Sequence, residues 1–412
     1  MVRKVIHLKI NFERLNDRLQ SLSEVGRTTE GGARRLALTD KDKAGRDLVR
    51  GWMEDLDLEI SIDKIGNIFG ILKGINRHAP IMMGSHIDTV GNGGHLDGCL
   101  GVLAGLEVIE TYIDHNIKPI NDLCVAIFTN EEGARFQPDM MGSLVHAGGL
   151  RLNQAYEALS YDGKSLKEEL KRIGYLGDME CGSIKPKAFI ELHIEQGPIL
   201  ENENIQIGAV ENVQGISWTS VTLIGQANHA GTTPMNMRTD AGYAAGLLTV
   251  KVREITQTIG GVQVGTVGVI TPKPNLINVV PGQVQMTVDL RNVEEEKLKH
   301  SESLLQASID EISKSEGVKI ETETLARFEP VKFNQDLVSV IKEAATEMNL
   351  SVKKMNSGAG HDAQMMARIC PVAMIFVPSK NGISHNPKEH TEITDLKAGV
   401  DVLFNVIRKL DH

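Results

Sequence analysis

The chain has 412 residues, enough for two or three domains around a large buried core. It carries 44 Lys and Arg against 54 Asp and Glu, so the formal net charge is −10, which argues against nucleic acid as a main partner. No apolar run approaches the ~20 residues of a membrane-spanning helix, and residues 1–6 (MVRKVI) lead into a polar stretch unlike a secretory signal.

Short apolar runs alternate with amphipathic stretches in the first half of the chain, and this order predicts an α/β fold. Buried strands are predicted at residues 79–86, 123–129 and 188–193, with a helix at residues 101–112 behind the first strand. In open α/β sheets ligands gather at the carboxyl ends of strands, and each of these strands ends at a His or at a Glu–Glu pair.

A different pattern, typical of a small α+β domain, runs from residue 213 to residue 329. It contains predicted strands at residues 217–224, 265–270, 284–290 and 318–324, and predicted helices at residues 239–256 and 293–315. A strand at residues 374–377 and a helix at residues 393–410 follow it. We therefore predict a discontinuous catalytic domain of residues 1–212 and 330–412, interrupted by a domain of residues 213–329.

Five potential metal ligands, widely separated in the chain, each lie in a glycine-flanked turn. They are three imidazoles and two carboxylates: His86, Asp97, Glu132, His193 and His385. Such a set can hold two divalent cations if one carboxylate bridges them, and a two-metal site activates water and polarises the bond being cut. Taken singly, none of these residues is decisive: His86 suits a surface turn as well as a metal site, Asp97 stands where an Asp is ordinarily a turn residue, and a His placed like His193 is more often a hydrogen-bonded core residue. The prediction of a hydrolase therefore depends on these segments meeting in space.

Carboxylates beside the candidate ligands predict further parts of a hydrolytic site. Asp88 is expected to accept the second ring N–H of His86 and so to fix its tautomer. In Glu131-Glu132-Gly133, a turn permitted by the glycine lets Glu132 bind metal while Glu131 acts as general base. The alternative for this acidic pair is a solvated turn.

Other polar residues are candidates for substrate contacts. Gln196 follows His193 within ELHIEQGP and suits an amide contact. In the insert, His229, Asn278 and Arg291 suit an oxyanion and a carboxylate, and the alternative is a cap, a turn and an edge-strand charge. The four cysteines form no Cys-x-x-Cys pair, so we expect reduced thiols in a cytoplasmic protein.

Together these motifs resemble the M20 metallopeptidase-like superfamily, and within it the amidase (hydantoinase/carbamoylase) branch. The similarity runs from about residue 10 to the carboxyl terminus. Its most specific stretches are GSHIDTV, NEEGARF, ELHIEQGP, NHAGTTPM, GAGHDAQ and NGISHNP. The resemblance implies a di-metal catalytic domain with a mixed sheet flanked by helices, interrupted by a smaller α+β lid and dimerisation domain.

The resemblance also implies roles for individual residues. His86 and His193 would hold one metal, Glu132 and His385 the other, and Asp97 would bridge them. Glu131 matches the general base, Asp88 the partner of His86, and His229 a lid residue offered by the partner subunit of a homodimer. The residues assigned to substrate binding are Gln196, His229, Asn278, Arg291 and His361.

The predicted reaction is metal-dependent hydrolysis of a ureido C–N bond in a small carboxylate-bearing substrate, releasing ammonia and carbon dioxide. Allantoate is the first substrate, and an N-carbamoyl-L-amino acid or a β-ureidopropionate is the alternative. An M20 aminopeptidase or deacylase, and a non-catalytic descendant, are more distant alternatives. Two divalent ions per subunit are expected, Zn or Mn, and Co or Ni would also fit nitrogen and oxygen ligands.

Overall fold

The computed structural model of the chain describes residues 9–76 and 79–411. The amino-terminal stretch interpreted above as lacking a secretory signal, residues 1–6, lies outside them. Contacts divide the chain into two compact units, residues 1–211 with 333–412, and residues 212–332. The predicted insert of residues 213–329 falls within the second unit, and its roles as lid and dimerisation domain stay predictions.

Helices make up much of both units. Within the described residues there are twelve α-helices and two short 3₁₀ helices, at Met235–Met237 and Lys380–Gly382. The α-helices are α1 (Phe12–Glu24), α2 (Asp40–Asp55), α3 (Cys99–Asp114), α4 (Met141–His146), α5 (Leu152–Glu157), α6 (Leu166–Ile173), α7 (Ile199–Glu203), α8 (Ala241–Ile259), α9 (Glu295–Glu316), α10 (Gln335–Glu347), α11 (Asp362–Met366) and α12 (Ile393–Leu410).

Fifteen strands are found in the same described residues. Each of the eight strands predicted from the sequence is among them, and most of their ends lie within three residues of the predicted ends. They are β1 (Glu59–Ile62), β2 (Ile68–Leu72), β3 (Ile81–His86), β4 (Leu123–Phe128), β5 (Ala188–Ile194), β6 (Ile207–Val213), β7 (Gly215–Ile224), β8 (Asn228–His229), β9 (Val264–Lys273), β10 (Val279–Val280), β11 (Gln283–Asn292), β12 (Lys319–Phe328), β13 (Val331–Lys332), β14 (Val352–Ser357) and β15 (Val372–Val377).

The first unit is built on a mixed sheet in the order β1-β2-β4-β3-β5-β15-β6, with β14 also paired to β6. Its four central strands, β4, β3, β5 and β15, are parallel, while β2 and β6 run antiparallel to their central neighbours. These four strands are buried along their whole length, as expected of a parallel sheet covered on both faces. The predicted mixed sheet flanked by helices is thus confirmed.

Helix α3 is the main cover of this sheet. It packs on β3, β4 and β5, and thirteen of its sixteen residues are buried. A Cβ added at Gly101 would meet the Leu192 carbonyl oxygen at 2.6 Å, so glycine lets the helix approach the strands closely. Because α3 begins at Cys99, the loop before it delivers Asp97 to the end of the sheet where β3 delivers His86.

The second unit is an α+β domain. Four antiparallel strands lie in the order β12-β7-β11-β9, and α8 and α9 pack on them and on each other. Strand β11 alternates buried side chains with partly exposed ones, which places Val284, Met286, Val288 and Leu290 in a core shared with the two helices. A two-residue ladder between β8 and β10 stands apart from this sheet. No helix in residues 9–76 and 79–411 meets the length and apolarity of a membrane span.

Candidate metal centre and active site

All five predicted ligands meet at the carboxyl end of the central strands in the first unit. Two groups of side chains have ligand atoms within 4.8 Å of one another: His86 with Asp97 and His193, and Asp97 with Glu132 and His385. Asp97 belongs to both groups. The strands and loops that carry these residues are far apart in the sequence, so the sheet order brings them together.

The two oxygens of Asp97 face different partners. Oδ1 lies 3.2 Å from His193 Nε2 and 3.6 Å from His86 Nε2, while Oδ2 lies 3.3 Å from His385 Nε2. The same His385 nitrogen is 3.4 Å from Glu132 Oε2. The Asp97 carboxylate therefore stands between a pair of imidazoles on one side and an imidazole with a carboxylate on the other, the arrangement in which a carboxylate can bridge two cations.

Main-chain carbonyls orient the two buried histidines. His86 Nδ1 lies 2.9 Å from the Asp88 carbonyl oxygen, and His193 Nδ1 lies 2.9 Å from the Ile194 carbonyl oxygen. A carbonyl only accepts, so each Nδ1 carries a proton and each Nε2 faces Asp97 at the centre of the cluster, where it donates to that carboxylate as an imidazolium or would bind a cation as a neutral imidazole. Neutral imidazoles with a free lone pair are the form that binds a divalent cation.

The cluster concentrates buried negative charge. Burial, and then the nearby Asp97, raise the pKa of Glu132 to about 8. Hydrogen bonding to Asp97 raises the pKa of His385 to about 9. Although burial opposes it, hydrogen bonds from the three histidines hold the pKa of Asp97 well below its ordinary value. Buried carboxylates this close together need positive charge nearby to stay ionised, and the site offers both nitrogen and oxygen ligand atoms. Both properties fit divalent cations.

Glu131 lies beside the cluster without belonging to either ligand group. Its Oε2 is 3.4 Å from His86 Nε2, and burial raises its pKa well above the ordinary value, although the nearby His86 opposes the shift. The turn that separates Glu131 from Glu132 is held by Asp88, whose two oxygens accept the main-chain N–H groups of Glu131 (3.2 Å) and Glu132 (3.3 Å).

The expected bond from His86 to the Asp88 carboxylate was wrong in its acceptor atom. Asp88 Oδ1 is 3.9 Å from His86 Nδ1, too far for a hydrogen bond, and the main-chain carbonyl of Asp88 takes its place. The carboxylate is occupied by the two amides after β4. Asp88 thus positions both the histidine, through its backbone, and the acidic pair, through its side chain.

Two residues assigned to substrate binding lie in the same cluster. Gln196, in a left-handed conformation at φ 57°, donates from Nε2 to Asp97 Oδ2 at 2.9 Å. The His361 ring packs edge-on against that of His193 at 4.6 Å between centroids, and its Nε2 is 2.8 Å from Ser357 Oγ. Their contacts with a substrate stay predictions.

A third group, Glu191 with His193 and His361, also has ligand atoms within 4.8 Å of one another. The Glu191 oxygens already accept hydrogen bonds from Ser85 Oγ (2.6 Å) and from the Ala363 main-chain N–H (2.8 Å). We therefore assign this carboxylate to holding β3, β5 and the start of α11 together, rather than to an ion.

Two buried residues that the sequence analysis missed fix the ligand loops. Arg35 donates from Nε to the Ile87 carbonyl at 2.7 Å, and its main chain exchanges two bonds with Thr89, so it secures the segment after His86. Glu389 accepts the main-chain N–H groups of Leu96 and Asp97. Neither stands in a glycine-flanked turn, and their partners are mostly main-chain atoms, which leave no sequence signal.

The remaining candidates lie in the second unit. His229 is exposed on β8, and its register partner Val279 on β10 follows Asn278, so these two candidates are brought together. His229 Nδ1 accepts the main-chain N–H groups of Gly231 (3.0 Å) and Thr232 (3.2 Å). Arg291 lies on β11, where Nε and Nη2 donate to the carboxylate of Asp289.

Comparison with known proteins agrees with this geometry. The sequence profile of Peptidase family M20/M25/M40 matches residues 82–409. An N-carbamoyl-L-amino-acid amidohydrolase of Rhizobium meliloti is 42% identical over 400 residues, covering 97% of this chain and 96% of the relative. An allantoate amidohydrolase of Escherichia coli is 35% identical over 401 residues, covering 96% and 97%. The crystal structure of an amidase of the hydantoinase/carbamoylase family from Burkholderia multivorans has a TM-score of 0.92 at 40% identity, covering 97% and 98%.

These matches confirm the predicted resemblance and the predicted enzyme class, an amidohydrolase acting on C–N bonds other than peptide bonds. They do not support the preference for allantoate, because the carbamoyl-amino-acid amidohydrolase is the more similar of the two relatives. The metal dependence of the family agrees with the ligand groups described above, whereas the number and identity of the ions stay predictions.

Proposed function

We propose that this chain, which belongs to Peptidase family M20/M25/M40, hydrolyses the ureido C–N bond of a small carboxylate-bearing substrate and releases ammonia and carbon dioxide. The observation that carries the proposal is the position of Asp97 between two ligand groups, with the separate carboxylate of Glu131 next to them. This arrangement would provide a binding site for two cations and, next to it, a carboxylate that coordinates neither of them and can act as a base.

The five ligands would be His86 and His193 for one cation, Glu132 and His385 for the other, and Asp97 for both. Two divalent cations held there would supply polarisation of the scissile carbonyl and a lowered pKa of water. Three imidazoles and two carboxylates without a thiolate suit Zn or Mn, and Co or Ni as well. Each ligand can be tested by its effect on metal content, independently of turnover.

Glu131 is the proposed general base. It takes a proton from the attacking water as the new C–O bond forms at the ureido carbon, and it returns that proton to the nitrogen that leaves as ammonia. The carbamate left on the substrate then loses carbon dioxide to give the free amine. Asp88 accepts the main-chain N–H groups of Glu131 and Glu132 and so holds the turn that carries both the proposed base and the proposed ligand.

His229 is the proposed donor to the oxyanion. Because two main-chain N–H groups point at its Nδ1, that atom must be the acceptor, and the proton sits on Nε2 of an exposed ring. A neutral histidine in this tautomer can donate a hydrogen bond to a developing negative charge. Asn278, Arg291, Gln196 and His361 would hold the rest of the substrate, with Arg291 facing its carboxylate.

An N-carbamoyl-L-amino acid is the substrate that we place first, since the more similar of the two relatives described above is named for that reaction. Allantoate is the second candidate, supported by the allantoate amidohydrolase of Escherichia coli. Both carry the ureido group and the carboxylate that the site requires, so the chemistry of the centre does not choose between them.

We also propose a cytoplasmic homodimer formed through the second unit. Within the described residues β9 pairs only with β11, and this edge strand carries exposed, uncharged side chains such as Val264, Val269 and Ile270. The opposite edge strand, β12, instead carries Lys319, Glu321 and Glu323, the kind of charges that discourage edge pairing. The β9 edge is therefore the one suited to a second copy.

The test is ammonia release by purified protein, stripped of metal and reloaded separately with Zn, Mn, Co or Ni. The panel contains several N-carbamoyl-L-amino acids, their D enantiomers, allantoate and a dipeptide. Metal-dependent ammonia release from a ureido acid is expected. Release of an amino acid from the dipeptide, with no ammonia from any ureido acid, would overturn the proposal in favour of an aminopeptidase.

A further inference from the structure

Glu389 joins two loops that carry ligands of the same proposed cation. Its Oε1 accepts the main-chain N–H groups of Leu96 (2.9 Å) and Asp97 (3.2 Å), and its Oε2 lies 3.1 Å from Ser384 Oγ. Ser384 is the neighbour of His385. A single buried carboxylate therefore connects the loop before α3 with the loop before α12, across 292 positions of sequence.

The surroundings leave a space shaped for this side chain. A Cβ added at Gly94 would lie 2.1 Å from Glu389 Oε1 and 2.4 Å from its Cβ, so a larger residue at position 94 would require Glu389 or the loop to move. Ser384 Oγ is also 3.2 Å from Asp97 Oδ2, so the hydroxyl lies between the two acids. Glu389 itself is in neither ligand group.

The ligand that most needs such support is His385. It has φ 54°, a left-handed conformation that non-glycine residues adopt only when their surroundings hold them there. Its side chain is 51% exposed, against 2% for His86 and 1% for His193, so packing contributes little to its position. The connection through Ser384 to Glu389 provides part of the restraint that burial gives the other two histidines.

We propose that Glu389 is a positioning residue that sets the affinity for the cation of Asp97, Glu132 and His385 without binding that cation. The inference rests on the proposed two-metal function. Loss of the carboxylate would free the Asp97 loop from the His385 loop. The cation held by His86 and His193 would be affected less, because both histidines are buried and are fixed by main-chain carbonyls one or two residues away, those of Asp88 and Ile194.

The experiment measures metal content by mass spectrometry after dialysis of each variant against graded concentrations of a chelator. Glu389→Ala is expected to lose one cation per subunit where the wild type keeps both, with about a 10- to 100-fold loss of affinity. Glu389→Gln should recover most of that affinity, because its amide oxygen can still accept the two main-chain N–H groups. Ser384→Ala, which keeps those two bonds, should fall between Glu389→Ala and the wild type.

Asp411→Asn is the matched control. Asp411 is 7% exposed, as Glu389 is, and it also accepts main-chain N–H groups, from Ile120 and Asn121, but it contacts no ligand loop. It should keep both cations even if it melts earlier. Equal metal affinity in Glu389→Ala and the wild type, or parallel loss of both cations, would overturn the inference.

Two further outcomes complete the test. A wild type that binds fewer than two cations would overturn the proposed function together with this inference, whereas two cations in every variant would overturn the inference alone. If Glu389→Ala does not fold, Ser384→Ala decides the matter, and unchanged affinity for the second cation in that variant would count against the connection.

Discussion

Replacing Glu131 with Gln separates the proposed base from the proposed metal site. The two side chains have nearly the same shape, and the main-chain bond from Glu131 to Asp88 does not involve the side chain. Glu131 belongs to neither ligand group, so both cations should stay bound. An amide cannot take a proton from water, and turnover should therefore fall while metal content does not.

The size of the loss follows from the role of the residue. A positioned general base contributes about 100- to 10,000-fold to a rate. That range corresponds to about 3–6 kcal/mol of transition-state stabilisation, since each tenfold is about 1.4 kcal/mol. Stability should not fall, because burial raises the pKa of Glu131 and so makes its charged form unfavourable in the folded protein.

The assay is ammonia release at saturating ureido acid, together with metal content and a thermal melt on the same preparation. Glu132→Gln is the natural comparison, because it changes the adjacent acid and should lose one cation as well as activity. A Glu131→Gln enzyme that keeps both cations and works within tenfold of the wild type would refute the assignment of the base.

Three other perturbations test the centre and the second unit. In Gly98→Ala, the added Cβ would lie 2.4 Å from His86 Nε2, at a φ of 67° that L residues rarely adopt. Mass spectrometry should find reduced metal content, and denaturant unfolding should show a loss of about 1–2 kcal/mol in the free energy of unfolding. Gly91→Ala is the control, because the space around Gly91 is open, and it should match the wild type in both measurements. Val269→Lys on β9 should convert a dimer to a monomer in light scattering, and Thr324→Lys on the other edge strand should not; a dimer in both would contradict the proposed interface. Removal of metal by a chelator should lower stability by about 2.7 kcal/mol for each bound cation, relative to protein at a free metal concentration 100 times Kd, and an unchanged melting temperature would count against cations in the cluster.

The metal cluster could be predicted because its residues carry local marks. Each ligand stands at a strand end or in a glycine-flanked turn, and the positive φ of Gly98 and Gly133 shows that these glycines have conformational reasons to be there. Elements of the second unit could be predicted too, from the alternation at residues 217–224 in β7 and from the Ala, Leu and Val residues on one face of α8.

What could not be predicted depends on main-chain atoms distant in sequence. Glu389 and Arg35 bind amides and carbonyls, which every residue possesses, so no residue type marks their partners. The acceptor of the His86 ring proton was assigned to the wrong atom of Asp88 for a similar reason. The choice between a carboxylate and a carbonyl of one residue depends on a turn at Glu131 and Glu132 that only the fold supplies.

The place of β15 in the sheet has a consequence for synthesis of the protein on the ribosome. Strands β5 and β6 follow one another in the chain, yet β15, made more than 150 residues after β6, lies between them. A nascent chain that pairs β5 directly with β6 would close the gap that β15 must fill. Productive folding of the catalytic sheet therefore has to wait until residue 377 has emerged, and chaperones that delay early pairing should raise the yield of active enzyme.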